Sequence, residues 1–266
     1  MKVIALIASY RKKGNTTRVV EMVLESLRQQ SAGRDQPVEI ETVFLGHQNI
    51  QLCRGCRLCF DKGEALCPLK DDLLPIKAKL QAADVVIAAS PVYVDDVSGT
   101  MKNWIDRMAH LCHRPGFAGK SVYLIATTGT TPTGRTLETL TNAFTLWGYQ
   151  VIGKAGFISG ALLSKEVLES RCRARAEKIA GQILRSLDRQ SALRPSFRSL
   201  LTFKVQQTAW QKYKTPSYDL DYWRGAGWTE PGCDFYIPHH ASRMKVAMAR
   251  LAGSLIAPFF VHAESK

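Results

Sequence analysis

Residues 2–17 of the chain read KVIALIASYRKKGNTT, and this stretch decides the fold. The run from Val3 to Ala8 is aliphatic without interruption, which is typical of a strand buried on both faces of a parallel sheet. A polar loop follows, and beyond it four aliphatic residues recur at helical spacing: Val20, Val23, Leu24 and Leu27. A buried strand that leads through a polar loop into a helix is the first unit of an alternating α/β fold.

Four more strands are predicted in the first 160 residues, because aliphatic or alternating runs recur there between helical patterns. They cover Val38–Phe44, Asp84–Ala89, Ser121–Ala126 and Tyr149–Phe157. Helices are predicted around Met101–His110, toward Trp147, and from about Ser164 to about Leu187. This alternation indicates a doubly wound, five-stranded parallel sheet with helices on both faces. Such sheets bind ligands beyond the carboxyl ends of their strands, so the loops after the first, third and fourth strands are the candidate sites.

The loop Ser9–Thr17 has the composition of an anion site. A helix N-terminus offers free N–H groups and a partial positive charge, both of which suit a phosphate. Arg11 adds a fixed positive charge, and Gly14 lets the backbone approach a ligand closely. Four short polar side chains supply further donors: Ser9, Asn15, Thr16 and Thr17. We favour the phosphate site over the alternative, in which Asn15 or Thr16 only caps the helix.

The loops after the third and fourth strands contain Ser90-Pro91-Val92-Tyr93 and Thr127-Thr128-Gly129. Pro91 fixes the backbone and removes one donor, while Tyr93 offers a flat apolar face. In the helix that follows Tyr93, we expect Asp106 and Arg107 to pair with each other.

Four of the seven cysteines lie within residues 53–67, in the order Cys53-x2-Cys56-x2-Cys59-x7-Cys67, followed by Pro68. Clustered thiols of this kind indicate metal binding or redox work in a reducing compartment rather than a disulfide scaffold. Three closely spaced cysteines plus one fit a [4Fe–4S] cluster better than zinc, whose ligands usually come as two separated pairs. A metal-free loop and a zinc site remain the alternatives. The other three cysteines are predicted to lie outside the site: Cys112, Cys172 and Cys233.

Three motifs, each after a predicted strand, resemble those of the flavodoxin-like NAD(P)H-dependent FMN reductases. They are S-Y-R-x-x-G-N-T-T, S-P-V-Y-V-D-D-V-S-G-T-M-K-N-W-I-D-R and T-T-G-T. The cysteine run between the second and third strands makes the resemblance closest to the iron–sulfur flavoprotein branch. The resemblance covers about residues 1–190 and implies a flavodoxin-like fold that binds FMN non-covalently.

The same resemblance implies the site residues. The FMN phosphate would contact Ser9, Arg11, Gly14, Asn15, Thr16 and Thr17. The flavin ring would contact Pro91, Val92, Tyr93, Thr127, Thr128 and Gly129. A [4Fe–4S] cluster is the expected second cofactor, at Cys53, Cys56, Cys59 and Cys67.

The implied activity is that of an oxidoreductase that takes electrons from NAD(P)H and passes them to a quinone, a flavin, a metal ion or a protein. No protein acid or base is strictly required for this chemistry, so no catalytic residue is assigned. The alternative is a non-enzymatic electron carrier or redox sensor with flavin and iron–sulfur centres. The loops do not distinguish the two functions, because both need the same flavin site.

Composition bounds the remaining possibilities. The chain has 266 residues, of which 45% are hydrophobic and 22% charged, which is too much apolar material for a disordered chain. Its net charge of +13 favours anionic partners, but the charge is scattered and no recognition motif accompanies it, so no nucleic-acid partner is expected. The apolar runs are too short for a signal peptide or a transmembrane span, which predicts a cytoplasmic protein.

Residues 191–266 do not continue the alternating pattern and are predicted to form a helical extension of the flavodoxin-like domain, residues 1–190. The predicted elements are an amphipathic helix from Phe197 to Ala209, an aromatic segment rich in Gly and Pro, and an apolar helix from about Ser242. This extension is interpreted as a lid or as a subunit interface of a homo-oligomer, with peripheral membrane contact as the less favoured alternative.

Overall fold

Six strands form one sheet in the computed structural model, which describes residues 1–34, 37–160, 164–188 and 193–261. They are β1 (Lys2–Ile7), β2 (Glu39–Phe44), β3 (Val85–Tyr93), β4 (Asp96–Val97), β5 (Ser121–Thr128) and β6 (Gln150–Ile158). Five are parallel in the order β2-β1-β3-β5-β6, and the short β4 pairs antiparallel with the end of β3. This order confirms the predicted flavodoxin-like sheet. Its winding direction reverses between β1 and β3, where such sheets open a ligand crevice.

The helices follow the predicted alternation. They are α1 (Asn15–Ser31), α2 (Leu58–Asp61), α3 (Leu73–Ala82), α4 (Gly99–Arg107), α5 (Gly134–Leu146), α6 (Lys165–Asp188), α7 (Phe197–Lys212), α8 (Tyr218–Gly225) and α9 (Arg243–Val261). Short 3-10 turns cover Leu45–His47, Glu64–Leu66 and Ala109–Cys112. Helices α2, α3 and α8 were not predicted from the sequence. The helix expected around Met101–His110 ends earlier, at Arg107, and the 3-10 turn follows it.

Alternating residues of each central strand enter two separate cores. On one face, Ile4 and Leu6 of β1 pack with buried residues of α3, α4 and α5. On the other face, Val3, Ala5 and Ile7 pack with α1 and α6. All five of these β1 side chains are fully buried, which explains why the strand is aliphatic at every position.

Helices α7 to α9 and their connections, residues 193–261, are called the helical extension below. They enclose a third buried cluster, formed by Leu200, Phe203, Trp223, Trp228, Phe235, Tyr236 and Ala249. Side chains of the extension donate hydrogen bonds to backbone carbonyls of the segment between α4 and β5. Trp223 Nε1 donates to the carbonyl of His113 at 2.6 Å, and Gln206 Nε2 donates to the carbonyl of Cys112 at 2.5 Å. Among the described helices, none combines the length and apolar character needed to cross a membrane.

Candidate functional site

The predicted flavin-binding loops lie side by side at the carboxyl edge of the sheet. Pro91 at the end of β3 is paired in register with Thr127 at the end of β5. The hydroxyl groups of Thr16 and Thr127 are hydrogen-bonded at 2.6 Å, and this contact joins the N-terminus of α1 to the end of β5. The structure therefore brings together three separate segments, and the Thr16–Thr127 contact joins residues that are 111 positions apart in the sequence.

The loop between β1 and α1 is a tight turn held by its own polar groups. The backbone N–H groups of Arg11 and Gly14 donate to Ser9 Oγ at 3.1 Å and to the Arg11 carbonyl at 2.9 Å. Thr17 Oγ1 donates to the same carbonyl at 3.1 Å. A Cβ atom at Gly14 would lie 3.1 Å from the Cβ and the carbonyl oxygen of Arg11, closer than ordinary packing, so the turn favours glycine there.

The N-terminus of α1 has the features of an anion site. Gly14 is the N-cap residue, no side chain caps the helix, and the first turn contains no acidic residue. The alternative that Asn15 or Thr16 caps the helix is therefore wrong: α1 begins at Asn15 itself, and both side chains contact other elements. Ser9, Thr16 and Thr17 are buried, whereas Arg11 is exposed and Asn15 is half-buried. The free N–H groups of the first turn and the helix dipole both favour a bound phosphate.

The ring-binding residues predicted on β3 lie at the base of a tight hairpin. Val94 and Asp95, with φ angles of 49° and 62°, form its two-residue turn between β3 and β4. Positive φ is unfavourable for a β-branched residue such as Val94, whose side chain is fully exposed. Tyr93 is 57% exposed, so its ring is accessible to a ligand.

At the end of β5, Thr127 and Thr128 are buried, and Gly129, which follows the strand, is half-buried. Thr128 Oγ1 accepts a hydrogen bond from the backbone N–H of Thr131 at 3.1 Å, which fixes the loop after the strand. Sequence reasoning missed Ser159, which follows β6. Its hydroxyl accepts from Asn15 Nδ2 at 2.9 Å and donates to the Thr128 carbonyl at 2.8 Å, so it links α1 to β5.

The four clustered cysteines line one cavity of about 220 Å³. Cys53 and Cys56 are exposed, whereas Cys59 and Cys67 are partly buried. Burial, together with the neighbouring Cys67 and Cys53 thiols, raises the pKa of Cys59, and the positive charge of Arg114 opposes this rise. Within the described part of the chain, no three His, Cys, Asp or Glu side chains converge closely enough to hold a metal ion. Cys112, Cys172 and Cys233 do not line this cavity.

Arg107 lies against the cysteine cavity and does not pair with Asp106 as expected. Its guanidinium bonds the Asp71 carboxylate at 2.5 and 3.2 Å, and both side chains are almost fully buried. Its Nη2 also lies 3.9 Å from Cys67 Sγ. Asp106 instead bonds Lys102 at 2.6 Å. The physical reason is that adjacent residues of a helix do not face each other, whereas residues four apart do.

A second group of buried charges includes two residues that line the same cavity, Glu64 and His110, and sequence reasoning missed it. The carboxylate of Glu64 is hydrogen-bonded to Lys77 and, at 2.9 Å, to Arg114. Burial disfavours the charged form of Glu64, yet the hydrogen bond from Lys77 and the neighbouring charges lower its pKa to about 2. Burial and the charge of Lys77 lower the pKa of His110 to about 3, so this side chain is neutral near pH 7.

Comparison with known proteins agrees with this geometry. The sequence profile of the family described as NADPH-dependent FMN reductase matches residues 1–162. An iron–sulfur flavoprotein of Archaeoglobus fulgidus is 27% identical over 232 residues, which are 85% of this chain and 99% of that protein. An iron–sulfur flavoprotein of Methanocaldococcus jannaschii is 36% identical over 117 residues, which are 44% of this chain and 55% of that protein.

Solved structures share the fold. RosB, solved with bound 8-demethyl-8-formylriboflavin-5′-phosphate, is similar with a TM-score of 0.54 at 15% identity, over 90% of this chain and 91% of its own. An FMN-dependent NADH-azoreductase of Bacillus anthracis is similar with a TM-score of 0.51 at 12% identity, over 69% of this chain and 99% of its own. The RosB similarity covers more of this chain than the flavodoxin-like sheet alone, so it extends into the helical extension.

Proposed function

The chain belongs to the NADPH-dependent FMN reductase family, and from this premise we propose how its own residues serve a flavin oxidoreductase. We propose that it binds FMN at the carboxyl edge of the sheet, takes electrons from NAD(P)H, and passes them by way of a [4Fe–4S] cluster to a small-molecule or protein acceptor. The observation that carries the flavin part is the uncapped N-terminus of α1, which Thr16 and Thr127 join to the ring-binding loops.

The residues present fit FMN. The first-turn N–H groups of α1 with Ser9, Arg11, Gly14, Asn15, Thr16 and Thr17 would hold the phosphate. Pro91, Val92, Tyr93, Thr127, Thr128 and Gly129 would hold the ring. In this arrangement the Tyr93 ring would cover one face of the flavin ring. The buried threonines would order the loops and would transfer no proton. The chemistry that FMN supplies when bound is the conversion of a two-electron donor, NAD(P)H, into one-electron transfers.

Anaerobic mixing tests the activity. NADPH or NADH is added to the FMN-loaded protein, and the flavin absorbance band is followed. Bleaching by at least one nicotinamide is expected, and the more effective one identifies the physiological donor. A flavin band that neither nicotinamide bleaches would contradict the proposed direction of electron flow.

The phosphate site is tested with a matched pair of variants. Arg11→Ala removes the cation assigned to the phosphate, whereas Lys12→Ala removes a neighbouring exposed cation to which no contact is assigned. A charge-assisted hydrogen bond contributes about 1.5–3 kcal/mol, so Arg11→Ala should weaken FMN binding roughly tenfold or more. Fluorescence titration of the FMN-free protein measures both affinities. Equal effects of the two substitutions would remove Arg11 from the site.

The cysteine cavity supports a [4Fe–4S] site by the chemistry of its donors. Four thiols line a single cavity, and Arg107 and Arg114 place positive charge beside the two less exposed ones. At Cys59 the charge of Arg114 opposes the effect of burial, which disfavours the thiolate, the form that binds metal. A cluster held there would carry single electrons, and the exposed Cys53 and Cys56 would leave it accessible to an external acceptor.

Metal analysis of protein purified without oxygen separates the three outcomes for this cavity. About four iron and four sulfide per chain, with a broad absorbance shoulder beside the flavin band, would support the cluster. About one zinc per chain, or no metal with a clean flavin spectrum, would overturn it. Cys59→Ser should lose the iron, whereas Cys233→Ser, outside the cavity, should retain it.

We also propose that the chain divides into residues 1–190 and 191–266 and forms homo-oligomers through α9. Five side chains of this helix form a stripe and are between 52% and 84% exposed: Met244, Met248, Leu251, Leu255 and Phe259. Their spacing of four, three, four and four residues is close to that of helices that pair along an apolar seam. The stripe contains no charged residue, which suits a second copy of the same helix.

Size-exclusion chromatography with light scattering tests the seam. Leu251→Lys places a charge in the stripe and should convert the oligomer to a smaller species. Gln29→Lys adds the same charge on the exposed surface of α1 and should leave the assembly unchanged. A monomeric unmodified protein, or an oligomer that Leu251→Lys does not dissociate, would overturn the proposed interface.

A further inference from the structure

The segment that contains the four cysteines, residues 53–67, has little regular structure of its own. Its only α-helix is the four-residue α2, which begins after Arg57 in a left-handed conformation with a φ of 62°. Residues 51–57 are exposed throughout. The position of this segment therefore depends on side chains that reach it from elsewhere in the fold.

Arg114 is one of these side chains, and it holds two points of the cysteine segment at once. Its Nη2 donates to the carbonyl of Cys59 at 2.6 Å and lies 2.9 Å from Glu64 Oε2. Glu64 belongs to the 3-10 turn Glu64–Leu66, which leads directly into Cys67. One guanidinium thus ties the backbone at one candidate metal ligand to the turn that precedes another.

The helical extension supplies the group that holds Arg114. Arg114 Nη1 is hydrogen-bonded to Oδ1 of Asp219 on α8, and both side chains are nearly inaccessible. The second carboxylate oxygen, Oδ2, is 2.6 Å from His113 Nδ1. Because the side chain of Arg114 is only 3% exposed, bulk solvent does not screen its charge, and loss of the carboxylate would leave that buried charge undercompensated.

The extension also contacts the cysteine segment directly. The Tyr218 ring lies under the Arg114 guanidinium, with its centroid 4.8 Å from Cζ. The same ring lies against Gly63, where a Cβ atom would approach it to 2.8 Å. Gly63 has a φ of +95°, so both its conformation and its contact with Tyr218 require glycine. The extension is therefore in contact with the segment at Gly63 as well as through Arg114.

From these contacts we infer that the helical extension is part of the metal site. Asp219 is a positioning residue that acts through Arg114, and the pair fixes the backbone at Cys59 and the turn before Cys67, from which the thiols would close around a metal. This inference rests on the proposed function, because it assumes that the four cysteines bind metal. Arg107 and Asp71 hold Cys67 in a similar way, so two buried Arg–Asp pairs support the site: one lies within the sheet domain, and the other joins Arg114 of that domain to Asp219 of the extension.

Two variants of α8 test this role. Asp219→Asn keeps the size of the side chain and removes its charge. Asp221→Asn makes the same change two residues later, at an exposed position on the same helix. Co²⁺ alone is titrated anaerobically into the FMN-loaded, metal-free chain, and the charge-transfer absorbance of thiolate ligation is followed. Residues that orient metal ligands typically contribute 10–100-fold in affinity, so Asp219→Asn should weaken Co²⁺ binding roughly tenfold or more, and Asp221→Asn should not.

Two further variants keep the inference testable if Asp219→Asn fails to fold, which its FMN content would reveal. Arg114→Lys retains the charge but cannot reach Asp219, Cys59 and Glu64 together, so it should also weaken Co²⁺ binding. Tyr218→Leu changes a partly exposed residue and should weaken binding several-fold. Unchanged Co²⁺ affinity in these folded variants would overturn the inference.

The rate at which iodoacetamide alkylates each cysteine of the metal-free protein separates the two proposals. If the unmodified chain binds neither Co²⁺ nor iron, the metal part of the proposed function fails. The positioning of Cys59 is then still tested: faster alkylation of Cys59 in Asp219→Asn than in Asp221→Asn supports it. Equal alkylation rates in the two variants would overturn it.

Discussion

Glu64→Gln should destabilise the protein strongly, because Glu64 is the counter-charge of two buried cations. The side chains of Lys77 and Arg114 are 11% and 3% exposed, and both bond the Glu64 carboxylate. Glutamine keeps the shape of the side chain but carries no charge, so it leaves both cations undercompensated.

The magnitude follows from the pKa. The pKa of Glu64 is lowered from its ordinary value of 4.5 to about 2 in the folded chain. This difference corresponds to about 3 kcal/mol in favour of the folded state. This agrees with the cost of about 3–5 kcal/mol for removing one partner of a buried ion pair. Because the folded pKa is the lower one, this stabilisation is complete above about pH 4.5 and is lost as the pH falls toward 2.

Urea unfolding of the FMN-saturated protein at pH 7 and at pH 3 measures the effect. Glu64→Gln should lower the free energy of unfolding by about 3 kcal/mol at pH 7, and the difference from the unmodified protein should shrink at pH 3. Glu138→Gln, at an exposed position on α5, is the control and should change stability by no more than about 0.5 kcal/mol. A difference below about 1 kcal/mol at pH 7, or one that is equally large at pH 3, would refute the reasoning.

Three other outcomes are expected. Gly14→Val should weaken FMN binding roughly tenfold, because the valine Cβ would lie 3.1 Å from Arg11 in the turn before α1. Fluorescence titration measures this affinity, and an unchanged value would remove the turn from the site. Tyr93→Ala should raise the FMN dissociation constant by about two- to tenfold, the effect of about 0.5–1.5 kcal/mol of ring stacking. Tyr222→Ala, distant in the sequence on α8, should leave it unchanged. Removal of FMN should lower the melting temperature, since ligand at 100 times its dissociation constant contributes about 2.7 kcal/mol to stability. Equal melting temperatures with and without FMN would contradict specific binding.

Acid should destabilise the protein in two stages, for separable reasons. The pKa of His110 is lowered from 6.5 to about 3, so the stability that depends on its neutral form is complete above about pH 6.5 and is lost as the pH falls toward 3. The contribution of Glu64 is lost only below about pH 4.5. Replacing His110 by Gln should therefore flatten the stability profile between pH 6 and 5, which unfolding at several pH values would detect. A profile that keeps the same slope there would contradict this assignment.

Local patterns in the sequence were sufficient to predict the sheet, because each buried strand is aliphatic over its own length. The candidate phosphate loop and the cysteine spacing are local patterns too, since each lies within one short stretch of the chain. Helix α3 was missed for a local reason as well. Its buried positions are Leu73, Ile76, Lys77 and Leu80, and the lysine interrupts an otherwise regular apolar pattern.

The partners of the buried charges could not be read from the sequence. Arg107 pairs with Asp71, 36 residues away, rather than with the adjacent Asp106, and Arg114 pairs with Asp219, 105 residues away. A buried cation needs a carboxylate at hydrogen-bonding distance, and which carboxylate is available depends on how distant elements pack. The sequence by itself therefore determined the sheet and identified the candidate flavin-binding loops and the four candidate ligands. Only the tertiary structure decided that the helical extension contacts the cysteine segment, because that contact exists only after α8 has packed against the segment that follows α4.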